Sequence, residues 1–128
     1  MNLTELSQQI YKSAKAKGYY RETSEKGTGL MLIVAEVAEA LEADRRANYA
    51  DEKAYSEELQ KEVEEEQVEA HKEDAYFKYI AGTFEEELAD VLLQLLSFTG
   101  SLHIDIEKFV KLKMQYNEKR PRLHNKVY

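Results

Sequence analysis

The sequence predicts an all-α fold, and three observations carry that prediction. Proline occurs once in 128 residues, at Pro121, and the five glycines fall between or at the edges of periodic segments. Apolar residues recur at helical spacing through most of the chain, as in Leu3, Leu6, Ile10 and Ala14. No segment shows the period-two alternation of a strand.

Four principal helices follow in order. The first runs over about Leu3 to Lys17 and stops at Gly18, a residue suited to a left-handed helix end. After the loop YYRETSEKGTG, Thr28 leads into the second, about Gly29 to Asn48. Thr83 and Glu86 form a capping box that opens the third, which runs to about Thr99 ahead of Gly100. Asp105 caps the fourth, with Ile104 and Phe109 spaced as a hydrophobic staple, and that helix reaches Lys119 or Arg120 before Pro121. Between the second and third lies an acidic insertion, Ala50 to Tyr79, whose apolar stripe (Tyr55, Leu59, Val63) is narrow. It reads as a helical arm or as a solvated insertion.

A length of 128 residues is one domain's worth, so residues 1–128 are read as a single bundle with the insertion at 50–79. No apolar run approaches the length of a membrane span, and the polar start MNLTELSQQIYKSAK is unlike a signal segment, so a cytoplasmic location without membrane contact is expected. The absence of cysteine excludes disulfides, a thiolate nucleophile and thiolate zinc sites, leaving oxygen or imidazole to hold any metal. A net charge of −7 argues against a nucleic-acid partner. The charge is uneven: Asp51 to Asp74 carries 11 acids and 3 bases, whereas Lys108 to Lys126 carries 7 bases and 1 acid.

The segment LMLIVAEVAEALEADRR, Leu30 to Arg46, is apolar nearly all the way round and yet places Glu36 and Glu39 one turn apart. At about 100° per residue, Leu30, Val34, Val37 and Leu41 form the main apolar face, and the two glutamates share the opposite one with Leu32 and Ala35. The third helix repeats the arrangement. Phe84, Leu88, Val91, Leu92 and Leu95 make one face, and Glu87, Asp90, Gln94 and Ser97 line a polar stripe flanked by Leu93. If exposed, like charges at this spacing would destabilise a helix by only about 0.2 to 0.5 kcal/mol per pair. If they converge away from water, either some protonate or cations share the site. An all-oxygen donor set suits a hard divalent ion, Mg²⁺ or Mn²⁺.

The fourth helix carries Lys113, Asn117 and Arg120 along the face begun by Ile106, Phe109 and Val110. Beyond it, PRLHNKVY offers Arg122, His124 and Lys126 in a tail able to fold over an anion. Acidic metal ligands with basic groups are what a metal-bound polyphosphate requires. Taken singly, each element has an ordinary explanation: ExxE is common on exposed helices, and Lys113 can be a snorkelling side chain at a bundle edge. KGTG, Lys26 to Gly29, is too short for a phosphate loop. Neither acidic motif has the Glu-x-x-His pattern of di-iron bundles.

In these motifs the chain resembles the all-α nucleoside triphosphate pyrophosphohydrolases of the MazG type, whose signature is ExxE on one helix, ExxD on the next, and then a helix with Lys and Asn. Here they read Glu36-Val-Ala-Glu39, Glu87-Leu-Ala-Asp90, and Lys113 with Asn117. The likeness covers the second helix and nearly everything after Ile80. Where some members carry an extra glutamate before the first motif this chain has Ala35, and the acidic segment lengthens the spacing between motifs.

The resemblance implies Mg²⁺-dependent hydrolysis of a nucleoside triphosphate between the α and β phosphates, in the manner of nucleotide-pool house-cleaning, by a homodimer or homotetramer. It implies Glu36, Glu39, Glu87 and Asp90 as metal ligands, Lys113 and Asn117 as contacts to phosphate or ribose, and Arg120 and Lys126 as further phosphate contacts. Tyr19 and Tyr20 could stack on a base or simply pack. A phosphoribosyl-ATP hydrolase and a non-enzymatic helical interaction module are the alternative readings.

Overall fold

The computed structural model describes residues 1–19 and 25–121. Among them are six α-helices and no strand: α1 (Leu3–Ala16), α2 (Lys26–Arg45), α3 (Glu52–Leu59), α4 (Val68–Tyr79), α5 (Phe84–Ser101) and α6 (Ile106–Glu118), with a 3₁₀ turn at Glu65–Gln67 before α4. The all-helical class is as the sequence predicts. The count is six rather than four because the acidic insertion folds into α3 and α4. None of the described helices is long and apolar enough to cross a membrane. Tyr20, Arg122, His124 and Lys126 lie outside the described residues.

The chain divides into two compact units, residues 1–22 with 96–128, and residues 23–95. In the first, local chemistry sets the helix ends. Asn2 and Glu5 form a reciprocal capping box at the start of α1. Gly18, at φ +73°, ends it, with Tyr19 N–H returning to Ala14 O at 2.9 Å. His103, at φ +55°, closes α5 by the same device, Ile104 N–H reaching Thr99 O at 3.1 Å. Asp105 then accepts Lys108 N–H and caps α6 as expected.

The buried centre of α1 is Ser7, fully enclosed, rather than its leucines; Leu6 is exposed. The reason is a close approach: a Cβ on Gly100 would meet Ser7 O at 2.5 Å and Tyr11 Cβ at 2.9 Å, so only glycine lets the two backbones come this near. Polar ties fix the register. Gln8 Nε2 donates to Gly100 O, the Thr4 hydroxyl donates to Asp105 at 2.7 Å, and Leu3 N–H donates to Glu107 at 3.0 Å.

In the second unit α2 ends at Arg45, and Ala47, at φ +52°, takes the left-handed position where glycine is commoner. Asn48 then serves the start of α5: its carbonyl accepts Phe84 N–H at 2.8 Å and its amide donates to Gly82 O at 2.9 Å. The acidic insertion is a helical hairpin with packing of its own. Ala75 is 2% exposed, His71 Nε2 pairs with Glu58 O at 2.7 Å, and Asp51 N–H reaches Tyr79 O across its base.

Large apolar side chains remain open in both units. The buried hydrophobic residues among those described are Ala40, Ala43, Ala75 and Leu96. The faces read from periodicity as buried are about half exposed, from Leu30, Val34, Val37 and Leu41 on α2 to Leu88 and Leu92 on α5. Phe109 and Val110 on α6 are exposed as well. The expected burial of these faces is therefore not met among the described residues.

Candidate functional site

The second unit brings α2 alongside the first half of α5, and the two acidic motifs meet there. Carboxylate oxygens of Glu36, Glu39 and Glu87 lie within 4.8 Å of one another. The charge of Glu39 acts on Glu36, Glu87 and Asp90 alike, so the two motifs share one electrostatic environment. The i and i+3 spacing on each helix supplies the rest, because residues three apart project from one face.

The electrostatics are those of a site short of positive charge. Burial is the first cause raising Glu36 above the ordinary carboxylate value, followed by the Glu39 and Asp90 charges. Burial also raises Glu87, with Glu39 the largest charge beside it. Among the described residues, Glu87 Oε2 is buried without a hydrogen-bond partner. Its close neighbour Glu39 is another carboxylate, a donor only when one of the two carries a proton. Asp90 is outside the trio of converging oxygens, yet burial and the charges of Glu86 and Glu39 raise it too.

Three converging carboxylates, one of them with a buried oxygen that lacks a donor, fit a cation, and the ligand atoms are all hard oxygen. Glu36, Glu39 and Glu87 are thus the residues able to hold a divalent ion, with Asp90 at the edge. Exposed acidic groups commonly cluster without an ion; the buried orphan oxygen is what sets this cluster apart.

The basic candidates lie in the other unit, on α6. Lys113 Nζ sits 5.1 Å from the centre of the Tyr116 ring, and the Arg120 guanidinium lies 5.3 Å from the same ring. Lys113 and Asn117 are exposed, and Arg120 is half-buried. Lys126 is outside the described residues.

Sequence reasoning missed the neighbours of the acidic motif. Glu85 accepts Ala50 N–H at 2.7 Å, and Glu86 accepts Gly82 N–H at 2.7 Å and the Tyr76 hydroxyl. The capping box is correspondingly altered: Glu86 N–H reaches Thr83 Oγ1 at 3.4 Å, but the Glu86 side chain returns to Gly82 rather than to Thr83. The signal available in the sequence was the run of three glutamates in one helical turn, which cannot all play one part. Compared with protein-family models, curated proteins and solved structures, the chain matches none.

Proposed function

We propose that the chain is an Mg²⁺-dependent nucleotide pyrophosphohydrolase that cleaves a nucleoside triphosphate between the α and β phosphates, giving a monophosphate and pyrophosphate. The observation that carries this reading is the convergence of Glu36, Glu39 and Glu87, together with a Glu87 oxygen that is buried without a donor among the described residues. A bound divalent ion would supply Lewis-acid stabilisation of phosphate charge and a lowered pKa for water.

The chain's own residues supply the rest. Glu36, Glu39 and Glu87 hold the ion. Asp90, which belongs to the same motif as Glu87 and is raised by burial and nearby charge, would receive a proton from an attacking water in this reading. By the likeness to MazG-type enzymes alone, Lys113 and Asn117 would contact phosphate or ribose, with Arg120 and Lys126 as further phosphate contacts that neutralise charge on a leaving pyrophosphate. The choice of the α phosphorus rests on the likeness of the two acidic motifs and the Lys–Asn helix to MazG-type enzymes.

The same reading includes an oligomer, a homodimer or homotetramer of helical bundles. A helix apolar on all sides is normally an interior one, and on α2 Leu30, Met31, Leu32, Val34, Val37 and Leu41 are each about half exposed or more. A second copy covers such faces most simply.

Turnover of a panel of canonical and modified nucleoside triphosphates, with phosphoribosyl-ATP included, tests the assignment when run in ¹⁸O-labelled water. Label in the monophosphate is expected. Label in orthophosphate, or no turnover with either Mg²⁺ or Mn²⁺, removes it.

A further inference from the structure

Glu85, Glu86 and Glu87 follow one another where α5 begins, and they meet three different fates. Glu85 Oε2 accepts Ala50 N–H. Both oxygens of Glu86 are engaged, Oε1 by Gly82 N–H at 2.7 Å and Oε2 by the Tyr76 hydroxyl. Glu87 Oε2 is buried with no donor. The three donors all come from the base of the acidic hairpin: Ala50 precedes α3, Tyr76 is in the last turn of α4, and Gly82 is in the turn that follows.

Spacing alone does not separate Glu86 from Glu87 as a ligand. Glu86 and Asp90 are four residues apart on α5 and therefore neighbours on its surface. The charge acting most strongly on Asp90 is that of Glu86. A Glu86 released from its donors would be a rival carboxylate beside the trio. What separates the two is the donors they meet: each oxygen of Glu86 has one from the hairpin, whereas Glu87 Oε2 is buried without one among the described residues.

We propose that Tyr76 is a positioning residue for the carboxylate site: by donating to Glu86 it ties that side chain to the hairpin and leaves Glu87 to face the cation. This rests on the metal-binding reading above. The hydrogen bond to Glu86, reinforced by burial, pushes the Tyr76 phenol up to about 12, so it stays a donor throughout the neutral range. The hairpin is thereby an element of the site rather than an appendage, since removing the Tyr76 hydroxyl alters the carboxylate set without touching a ligand. Partners that orient a metal's surroundings typically change affinity by about 10- to 100-fold when removed.

Mn²⁺ affinity of the full-length metal-free protein, followed by electron paramagnetic resonance, is the test, with wild type, Tyr76→Phe, Glu86→Gln, their double variant and Glu87→Gln compared. Tyr76→Phe is expected to weaken Mn²⁺ about tenfold or more, and that loss should vanish in the Glu86→Gln background, where no rival carboxylate needs holding. A merely structural role would give the same loss in both backgrounds, in step with a lowered Tm, and overturns the proposal. So does a Tyr76→Phe affinity within about twofold of wild type while Glu87→Gln abolishes binding. Unchanged Mn²⁺ binding by Glu87→Gln would instead overturn the metal reading itself, and the role of Tyr76 with it.

Discussion

The acidic side chains of α1–α6 and those of the α2–α5 stem are chemically alike and electrostatically opposite. At the start of α6, the Thr4 hydroxyl and Lys108 N–H hold Asp105 below the usual carboxylate range. Glu107 is held low by Leu3 N–H and by Lys111, whose ammonium is 3.1 Å away. In the stem, Glu36, Glu87 and Asp90 are pushed up, first by burial and then by neighbouring carboxylates, chiefly Glu39 for the two glutamates and Glu86 for Asp90. One region uses carboxylates to cap and tie, with donors from its own backbone. The other gathers them against their mutual repulsion and leaves a buried oxygen without a donor. Among the described residues, perturbed carboxylates gathered in this way mark a candidate binding site.

Breaking the stem's cluster should have the largest effect. Glu87→Gln is expected to lower Mg²⁺-dependent nucleotide hydrolysis by more than about 100-fold, beyond what losing an outer partner of a metal site usually costs. The metal-free protein should melt no lower, because the change removes a repelled, partly buried charge. Unchanged turnover would place the chemistry elsewhere.

Next comes the stem's open apolar face. Leu92, 52% exposed, replaced by glutamate should convert an assembled wild type to single chains in sedimentation velocity. A wild type that already sediments as one chain would contradict the oligomer.

In the self-contained region, Gly100→Ala drives a Cβ to within 2.5 Å of Ser7 O. Overpacking of this kind typically destabilises by about 1 to 3 kcal/mol, against roughly 1 kcal/mol gained in helix propensity. A net loss in urea unfolding is expected, with metal binding by the folded protein retained. A Gly100→Ala protein as stable as wild type would show that α1 can move away.

The smallest effect is on pH dependence, and its sign differs between the regions. Glu36, Glu87 and Asp90 bind protons more tightly folded than unfolded, so their contribution to stability is present at low pH and lost as pH rises through their raised values. For Asp105 and Glu107 the contribution is present above the ordinary values of 3.8 and 4.5 and is lost as pH falls through the lowered ones. The metal-free Tm should therefore rise on acidification through the raised values of Glu36, Glu87 and Asp90, and fall as pH drops further through the lowered values of Asp105 and Glu107. Saturating Mg²⁺ should remove the upper part of that profile. An identical slope with and without Mg²⁺ would separate the raised carboxylates from any metal site.

Local signals made much of this legible in the sequence. Gly18, Thr83 and Asp105 mark helix ends because caps and left-handed stops depend on a few adjacent residues. The meeting of Glu36, Glu39 and Glu87 was legible because the i and i+3 spacing puts each pair on one face of its helix. What was not legible depends on contacts distant in sequence. The hairpin's own packing at Ala75 and His71, the Ser7–Gly100 approach and the Tyr76–Glu86 bond have no periodic signature. Asp90 shares its motif with Glu87, yet one helical turn is enough to leave it outside the converging oxygens. Periodicity groups the leucines of α2 by face, but it carries no information on what packs against them, and among the described residues they are about half exposed.

The most direct measurement is calorimetric titration of Mn²⁺ into the metal-free wild type and into Glu87→Gln. Saturable binding by the wild type, lost in Glu87→Gln while helicity by circular dichroism is unchanged, is the expected result. No binding by the wild type, or equal binding by both proteins, would contradict a cation held by Glu36, Glu39 and Glu87.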